Sequence, residues 1–421
     1  MAIPSIALKP VGFIAGTLFS EIPIDGSGDF TVVRATTATR INEAGLIESM
    51  AANVPRLDYS AGGCPVLLTE PQRTNSLLQS NQFDTTWVKT LSTITSDEIA
   101  APISGEMADS IIATATNGGH RVMQAPSTTG VGTFTMYIKQ KELSRICVHF
   151  LGAGKAAGFD CSDNTTFAAV GIAAYPTRYN ISDFGNGWSK VEMYDVGTTT
   201  RVDIYIANPT DGGNNAVWTG DGTSKIYFSA AQFEVGSYPT SYIPTTGSSV
   251  TRNADQVTDS GDVNDFNSLE GVLMAEISAE NISTFRNISI NDGTSSNRLL
   301  LYVYNSFVNV TFDVGSSNQS SVSYTLPDVS SINKVAFSYK LNEFKLFVNG
   351  LQIGSTDTSG IVPASGTFNE LSFNNSSGGY FFGKTKQIQV FKSTLTSLEI
   401  ETLTSWESFI LMASAQQYTI Y

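Results

Sequence analysis

Apolar and polar residues alternate along much of the chain, in short runs separated by Gly, Asn and Asp. Clear examples are TFTMYIKQ at 133–140, RICVHFL at 145–151 and RVDIYIAN at 201–208. A period of two predicts strands with one buried face, and the intervening residues are typical of turns. The pattern continues after residue 271, in runs such as GVLMAEIS, RLLLYVY and EFKLFVNG. We therefore predict an all-β protein built from antiparallel sheets.

One helix is expected near the C-terminus. Thr396 and Glu399 have the spacing of a capping box, and Leu395 with Ile400 have the spacing of a hydrophobic staple across it. Leu398 is expected in the buried stripe. These signals predict one short helix that starts at Thr396.

Prolines and polar runs predict the domain boundaries. Residues 1–80 are interrupted by prolines and poor in long apolar runs, which favours an extended N-terminal anchoring arm over a self-contained domain. Residues 81–245 are predicted to form a β-sandwich, 246–264 a linker, and 265–421 a second jelly-roll sandwich with the C-terminal helix and a tail. The arm also holds candidate contacts to a particle or another subunit, with solvated ion pairs as the alternative: Arg34, Arg40, Arg56, Asp58 and Arg73.

Composition narrows the range of functions. The chain has 421 residues, 15% of them charged, and a formal net charge of −14 at pH 7. No basic cluster stands out, so nucleic-acid binding is not expected. No run approaches the ~20 apolar residues of a membrane helix, and no secretory signal is predicted. Three cysteines without metal-binding spacing predict neither a disulfide scaffold nor a zinc site.

Motifs that suggest catalysis are incomplete. GAGKAAG at 152–158 lacks the spacing and the hydroxyl residue of a phosphate-binding loop, so a small-residue loop is the better interpretation. His120 and His149 are the two histidines, and no nucleophile-elbow motif accompanies them. Glycoside hydrolysis needs two facing carboxylates, and Glu276, Glu343 and Glu370 of the second sandwich stand alone in the sequence. We predict a protein that is not an enzyme and needs no cofactor.

Polar loops hold the candidate ligand-binding residues. Trp218 lies close to Asp221 in NNAVWTGDG, where an indole with polar neighbours would form a platform for a sugar ring. Trp188 opens a strand and is predicted in the core. Further residues with donors and acceptors for sugar hydroxyls are Asn291, Asp292, Asn374, Asn375 and Tyr380. Solvated turns are the alternative for these loops.

Calcium is a second ligand that Gly-rich loops with Asx residues can bind. Asp211, Asn214 and Asn215 lie in such a loop, as do Asp221 and Asp292. No spaced D-x-[DN]-x-[DN]-G run occurs, so turn formation is the favoured interpretation and no metal ligand is assigned.

Two segments near the C-terminus resemble a known superfamily. KVAFSYKLNEFKLFVNGLQIGSTD at 334–357 and KQIQVFKSTLTSLEIETL at 386–403 are similar to the concanavalin A-like lectin/glucanase superfamily in its laminin-G-like form. There, a hairpin ending in a VNG turn is followed by a last strand and a short helix. The resemblance covers about residues 265 to 410 and implies a lectin-like sandwich.

The front of the chain resembles a group of tailed-bacteriophage virion proteins. The similarity lies in VPRLDYSAGGCPVLLTEPQRTN at 54–75, NGWSKVE at 186–192 and GDGTSKIYFSAAQFEVGSYPTSYIPTTGSSVTRNAD at 220–255. In that group these ends flank a carbohydrate-binding-like sandwich of head and tail fibres. The resemblance implies a place in the virion more firmly than it implies a ligand.

The leading hypothesis is therefore a structural fibre of a phage head or tail. It implies a homotrimer assembled in the host cytoplasm, with capsid or tail proteins and a host-surface glycan as further partners. A glycan depolymerase and a secreted lectin-like adhesin are the alternatives. The choice between head and tail, and the identity of the glycan, stay open.

Overall fold

The computed structural model describes residues 2–60, 62–127, 130–167, 176–208, 217–406 and 411. The first strands along these residues are β1 (Ile6–Leu8), β2 (Phe13–Ile14), β3 (Thr17–Leu18), β4 (Phe30–Val33), β5 (Ala38–Ile41), β6 (Ile47–Met50), β7 (Leu57–Asp58), β8 (Val66–Thr69), β9 (Arg73–Asn75), β10 (Val88–Thr90), β11 (Ser92–Ala100), β12 (Met107–Ala113), β13 (Asn117–Gly119), β14 (Arg121–Gln124), β15 (Gly132–Gln140), β16 (Arg145–Leu151), β17 (Lys155–Asp160) and β18 (Thr165–Phe167).

The elements that follow are β19 (Arg178–Gly185), β20 (Trp188–Tyr194), β21 (Arg201–Ala207), β22 (Val217–Thr219), β23 (Lys225–Val235), β24 (Val250–Arg252), β25 (Gln256–Thr258), β26 (Glu270–Ser278), β27 (Arg286–Asn291), β28 (Arg298–Tyr304), β29 (Phe307–Val314), β30 (Ser317–Thr325), β31 (Asn333–Lys340), β32 (Glu343–Val348), β33 (Leu351–Asp357), β34 (Glu370–Ser372), β35 (Gly383–Phe391) and helix α1 (Ser397–Thr404). The predicted all-β class, with antiparallel sheets and one short helix near the C-terminus, is confirmed.

The chain divides into two compact units, and each combines distant parts of the sequence. Unit 1 contains Met1–Ala35, Ala51–Pro71 and Ala254–Tyr421, and unit 2 contains Thr36–Met50 and Gln72–Asn253. These boundaries differ from the predicted order of arm, sandwich, linker and sandwich.

Unit 1 is a jelly-roll sandwich with a smaller sheet beside it. One large sheet has the strand order β33-β32-β31-β26-β35-β8-β7, with β1 also paired to β35, and the opposite sheet has the order β30-β29-β28-β27-β34. Apolar residues of both sheets share one core, for example Leu273 and Phe337 from the first and Leu301 and Phe312 from the second. The third sheet has the order β2-β3-β4-β25.

The N-terminal residues supply strands to this sandwich. Strand β1 pairs with β35, and its residues Ile6 and Leu8 are fully buried. Leu67 of β8 also lies in the core and pairs with Thr385. Short strands between prolines give little local signal, and their partners lie more than 300 residues away. Within the fold, residues 1–80 are therefore divided between the two units and do not form a separate arm.

Unit 2 is also a sandwich of two large sheets. Their strand orders are β10-β14-β21-β16-β17-β18 and β11-β12-β23-β15-β20-β19, and the pairs β13-β22, β9-β24 and β5-β6 form three small sheets. Phe134 and Val191 of one large sheet share a core with Phe150 and Ile204 of the other. Trp188 is 2% exposed, as predicted. Strand β24 lies in the predicted linker, yet it is paired within this unit.

The short helix follows its sequence signals at its start but not along its length. Thr396 is the N-cap, and its side chain and that of Glu399 form both hydrogen bonds of the capping box. Leu395 and Ile400 are buried, as the staple predicts. Leu398, by contrast, is 73% exposed, so its predicted burial is wrong. Two residues along a helix correspond to about 200° of rotation, which places Leu398 on the side opposite Ile400.

Two arginines from the predicted contact set are instead buried in an ionic cluster of unit 1. Asp255 Oδ1 accepts a hydrogen bond from Arg34 at 2.9 Å, and its other oxygen accepts from Arg56 and from the Glu70 backbone. Arg56 also donates to the Glu70 carboxylate at 2.6 Å. Arg34 and Arg56 are 0% exposed, and Asp58 is 3% exposed. Side chains enclosed in this way are not presented to a particle or to another subunit, which corrects the prediction for these three residues.

We expect Asp255→Asn to lower the free energy of unfolding of unit 1 by about 3–5 kcal/mol, because the substitution removes the carboxylate charge that the buried guanidinium groups of Arg34 and Arg56 share. Urea denaturation followed by intrinsic fluorescence measures the change. Glu21→Gln is the control within the same unit, since the Lys9–Glu21 pair is exposed and should contribute less than about 1 kcal/mol. A loss for Asp255→Asn no larger than that of the control would contradict the proposed importance of the cluster.

Candidate functional site

The five-stranded sheet of unit 1 has a polar and aromatic outer face. Leu299, Leu301 and Val303 of β28 point into the core, so the residues that alternate with them along the strand lie on the other side of the sheet. Those residues include Arg298 and Tyr302. The pairing register extends this face across neighbouring strands. One row is Asn287–Tyr302–Asn309–Ser323, the next is Ser372–Ser289–Leu300–Thr311–Ser321, and the third is Glu370–Asn291–Arg298–Asp313–Asn318.

An open groove of about 560 Å³ lies on this outer face. Its floor consists of side chains from β28 and β29, and its rim comes from the segment before β27 and from the loop between β34 and β35. The residues that line it are Thr284, Phe285, Asn287, Arg298, Leu300, Tyr302, Thr311, Asp313, Asn375 and Gly379. The lining therefore combines apolar, amide, hydroxyl and charged groups in a single concave surface.

Aromatic side chains form one wall of the groove. The Phe285 ring is stacked on Tyr304 with centroids 4.6 Å apart, and it meets Tyr302 edge-on at 5.2 Å. Phe285 is nevertheless 52% exposed. Burial raises the pKa of Tyr302, so its hydroxyl is neutral at physiological pH and can both donate and accept a hydrogen bond. Packing thus fixes these rings while a large apolar area still faces solvent.

An arginine–aspartate pair forms the polar end of the groove. Arg298 Nε donates to Asp313 Oδ2 at 3.0 Å, and Nη1 donates to the backbone oxygen of Asn375 at 3.0 Å. Both side chains are partly exposed, at 20% and 14%. The pair carries no net charge, yet it presents donors and acceptors in a fixed arrangement.

Buried Asn287 holds the rim loop in place. Its side-chain nitrogen donates to the backbone oxygen of Gly379 at 2.5 Å, and Asn287 itself is 2% exposed. Gly379 has a φ of 74°, and a Cβ there would lie 3.0 Å from the Asn287 side-chain nitrogen. A glycine at this position therefore allows the loop to approach the sheet closely.

Asn309 has an unused hydrogen-bond acceptor on the same face. Asn309 lies directly opposite Tyr302 in the pairing register. Its Oδ1 is buried and has no hydrogen-bond partner among the described residues. A buried acceptor of this kind is usually satisfied by water or by a ligand.

The structure brings part of the predicted glycan set to this groove. Asn375 lines it, and Asn374 and Tyr380 belong to the same rim loop. Asn374 accepts the backbone N–H of Ser376 at 2.6 Å, which is a turn contact. Tyr380 is half-buried. These three predictions are thus spatially related to the groove, although only Asn375 reaches its surface.

The other predicted pair in unit 1 is engaged within a turn. Asn291 is 0% exposed and accepts the Gly293 backbone N–H at 2.7 Å. Asp292 accepts hydrogen bonds from Thr294 and from Asn297. Burial alone would raise the pKa of Asp292, but these hydrogen bonds outweigh it and the pKa is lowered. Both side chains therefore act as turn formers.

Trp218 and Asp221 belong to unit 2 and form no sugar platform there. Trp218 is 4% exposed, donates to the backbone oxygen of Ile206 at 3.1 Å and packs on His120. An enclosed indole offers no ring face to a ligand, so this prediction is corrected. Asp221 is exposed and accepts hydrogen bonds from Ser224, which are the main cause of its lowered pKa.

The remaining predicted contact residues lie in unit 2. Arg40 pairs with Glu48 at 2.8 Å within the β5–β6 hairpin, and Arg73 lies over the Tyr238 ring at 5.3 Å. His149 is half-buried on β16.

Among the described residues no group of three or more His, Cys, Asp or Glu side chains could hold a metal ion, and no helix is long and apolar enough to cross a membrane. Asp211, Asn214 and Asn215 lie outside the described residues.

Sequence reasoning missed the main groove residues, namely Phe285, Arg298 and Tyr302. It looked for ligand chemistry in the polar loops and did not consider the solvent-facing side of these strands. The signal was present in RLLLYVY, where Arg298, Leu300 and Tyr302 alternate with core residues. A polar or aromatic residue at alternate positions indicates a second, solvent-facing side of the sheet.

The groove lies within a region that matches a known protein family. Residues 273–401 match the family model described as the concanavalin A-like lectin/glucanases superfamily. This part of unit 1 is therefore a concanavalin A-like, laminin-G-like domain, as the resemblance at 265–410 implied. No curated protein is similar enough to this chain to count as a match.

Several solved structures are similar to parts of the chain. A carbohydrate-binding module of family 40 from the Ruminococcus gnavus IT-sialidase has 18% identity and a TM-score of 0.29, covering 33% of this chain and 84% of that one. Domain 4 of the Geobacillus stearothermophilus arabinanase AbnA in complex with arabinotriose has 11% identity and a TM-score of 0.28, covering 40% and 83%. The binding domain of botulinum neurotoxin serotype G has 12% identity and a TM-score of 0.27, covering 35% and 40%.

We expect Asn287→Ala to lower the free energy of unfolding by about 1–2 kcal/mol, since the Gly379 carbonyl loses its buried donor. Hydrogen exchange of the amides in residues 375–380 should also become faster, because the rim loop is no longer tied to the sheet. Asn309→Ala is the matched control on the same row, and its unpaired oxygen predicts little change in either measurement. Equal effects of the two substitutions would refute the positioning role of Asn287.

Proposed function

We propose that the protein is a non-catalytic glycan-binding protein and that the groove of unit 1 is its binding site. The observation that carries this proposal is the exposed Phe285 ring beside Tyr302, in the same groove as the Arg298–Asp313 pair. Apolar faces of sugar rings pack on aromatic side chains, while sugar hydroxyls exchange hydrogen bonds with charged and amide groups. The lectin-like class of this domain supports the same assignment.

The carboxylates at the groove favour binding over hydrolysis. Asp313 is the single carboxylate among the residues that line it, and Arg298 already engages this group. Glycoside hydrolases of the common types need an acid and a second carboxylate about 5–9.5 Å apart. A fold shared with glucanases does not by itself transfer their activity.

A glycan array with the full chain tests the site. Phe285→Ala and Tyr302→Ala should each weaken binding by about ten-fold, because each removes part of the aromatic wall. Phe19→Ala is the control, since this partly exposed aromatic residue of unit 1 does not line the groove. Release of reducing ends from a bound glycan should not exceed that of buffer.

Three results would contradict the proposal. If no glycan on the array binds, the proposed binding function is refuted. If Phe285→Ala, Tyr302→Ala and Phe19→Ala weaken glycan binding equally, the groove is not the binding site. Glycan cleavage that is lost in Asp313→Asn would establish the depolymerase alternative.

We further propose that the chain is a fibre protein of a tailed-phage head or tail, located in the virion and displayed as a homotrimer. The support is the order of the motifs at 54–75, 186–192 and 220–255, which resembles such virion proteins. Weak single sites suit this arrangement, because several copies presented together raise the overall affinity. Capsid or tail proteins and a host-surface glycan are the proposed partners, with no part for nucleic acid or membrane insertion.

Assembly is tested by native mass spectrometry and by immunogold imaging. The expected mass is three times the 45.1 kDa of one chain. Antibody against the chain should label particles at the head surface or on the tail. A stable monomer would contradict the trimer, and unlabelled particles from an infected culture would contradict the virion assignment.

A further inference from the structure

The six-stranded sheet of unit 2 that contains β14, β16 and β21 has a basic cluster on its outer face. Val148 and Ile204 point into the core, so the residues next to them in sequence lie on the opposite side. The cluster comprises Arg121 of β14, His149 of β16, and Arg201, Asp203 and Tyr205 of β21. The pairing register places Arg121 opposite Tyr205 and His149 opposite Asp203.

Two arginines of this cluster converge on one buried carboxylate. Arg201 donates to both oxygens of Asp203, from Nε to Oδ1 at 2.5 Å and from Nη2 to Oδ2 at 2.8 Å. Arg121 Nη1 lies 3.7 Å from the same Oδ2. Asp203 is 1% exposed, whereas Arg121 and Arg201 are 25% and 33% exposed. Two guanidinium groups thus share one neutralising charge and retain solvent-facing donors.

Tyr205 holds one of these arginines in position. Arg121 lies over the Tyr205 ring at 5.1 Å and also donates to the Tyr205 hydroxyl. Arg121 Nε is buried and has no hydrogen-bond partner among the described residues. A stacked and hydrogen-bonded guanidinium loses little freedom when it binds an anion.

The other charged groups on this face leave the excess of positive charge in place. Arg145 pairs with Asp160 at 2.5 Å and contributes no net charge. Burial lowers the pKa of His149, and the nearby Arg201 and Arg121 lower it further against the opposing effect of Asp203. His149 is therefore neutral near pH 7 and can act as a hydrogen-bonding group beside the arginines.

We propose that this face is a second ligand site, one that binds the carboxylate of an acidic saccharide between Arg121 and Arg201. A planar carboxylate matches the donor geometry of guanidinium groups, and the cluster is cationic in a chain whose net charge is −14. The anionic part of the inference stands on the arginine geometry, while the saccharide part rests on the proposed glycan-binding function.

The two histidines allow a direct test in the full chain. Tetragalacturonate is titrated into protein labelled with ¹³C-histidine, and the imidazole signals are followed by NMR as a function of pH. A carboxylate bound beside His149 should raise its pKa, because a nearby negative charge favours the imidazolium form. His120 is the internal reference, because it is 0% exposed and both of its ring nitrogens lie within hydrogen-bond distance of backbone oxygens. Addition of tetragalacturonate should therefore not shift its imidazole signals.

Substitutions then locate the site. Arg121→Lys and Arg201→Lys should each weaken tetragalacturonate binding by about ten-fold, because a lysine cannot reproduce the forked contacts. Arg178→Lys is the matched control, since Arg178 lies 3.6 Å from the Tyr194 ring centroid on the other large sheet. The methyl ester of tetragalacturonate, which lacks the charge, should leave His149 unchanged.

Several outcomes would overturn the proposal. If tetragalacturonate does not change the imidazole signals of His149 in the wild-type protein, the proposed site is refuted, whatever the variants show. Equal affinity for acetate and tetragalacturonate would show that the site binds simple anions, and would refute the proposal that it recognises an acidic saccharide. If Tyr302→Ala abolishes the change in the His149 NMR signal, the binding belongs to the groove of unit 1. If Tyr302→Ala abolishes binding on the glycan array but the His149 signal still changes with tetragalacturonate, the two sites are separate.

Discussion

Buried charge is the constraint on which the architecture of unit 1 depends. Asp255 has two guanidinium partners, Arg34 and Arg56, that come from segments far away in sequence. Burial opposes the charged form of Arg56, but the Asp255 and Glu70 carboxylates outweigh it and the pKa of Arg56 is raised. A carboxylate or guanidinium is tolerated in the interior only when its partners are in place. In unit 1 these charges are therefore compensated by contacts between its N-terminal segments and Asp255.

The groove proposed as the ligand site lies on the sheet of unit 1 that contains no N-terminal strand. The large sheet recruits β1, β7 and β8 and has one face in the core, against which the five-stranded sheet packs. In β29, Phe312 belongs to that core while the adjacent Asp313 lies in the groove. Because neighbouring residues of a strand face opposite sides, the groove can acquire its own chemistry without disturbing the packing beneath it.

Local signals in the sequence predict the elements, and long-range pairing decides how they combine. The capping box at Thr396 depends on adjacent residues and was predicted correctly, and the VNG turn of the resemblance corresponds to Asn349-Gly350, whose φ angles are 49° and 87°. Strand β1 depends on β35, and nothing near Ile6 in sequence encodes that partner. The predicted binding site at Trp218 failed for the same reason, because residues far away in sequence determine its surroundings. Its loop is polar, but His120 and the Ile206 carbonyl, both distant in sequence, enclose the ring.

The two surfaces on which ligand binding is proposed differ in net charge. The groove pairs one arginine with one aspartate beside aromatic rings, an arrangement that suits uncharged sugars, since neither charge is left to attract an ion. In unit 2, two arginines share Asp203, and the remaining positive charge favours an anionic group. The two surfaces are therefore expected to select different classes of sugar.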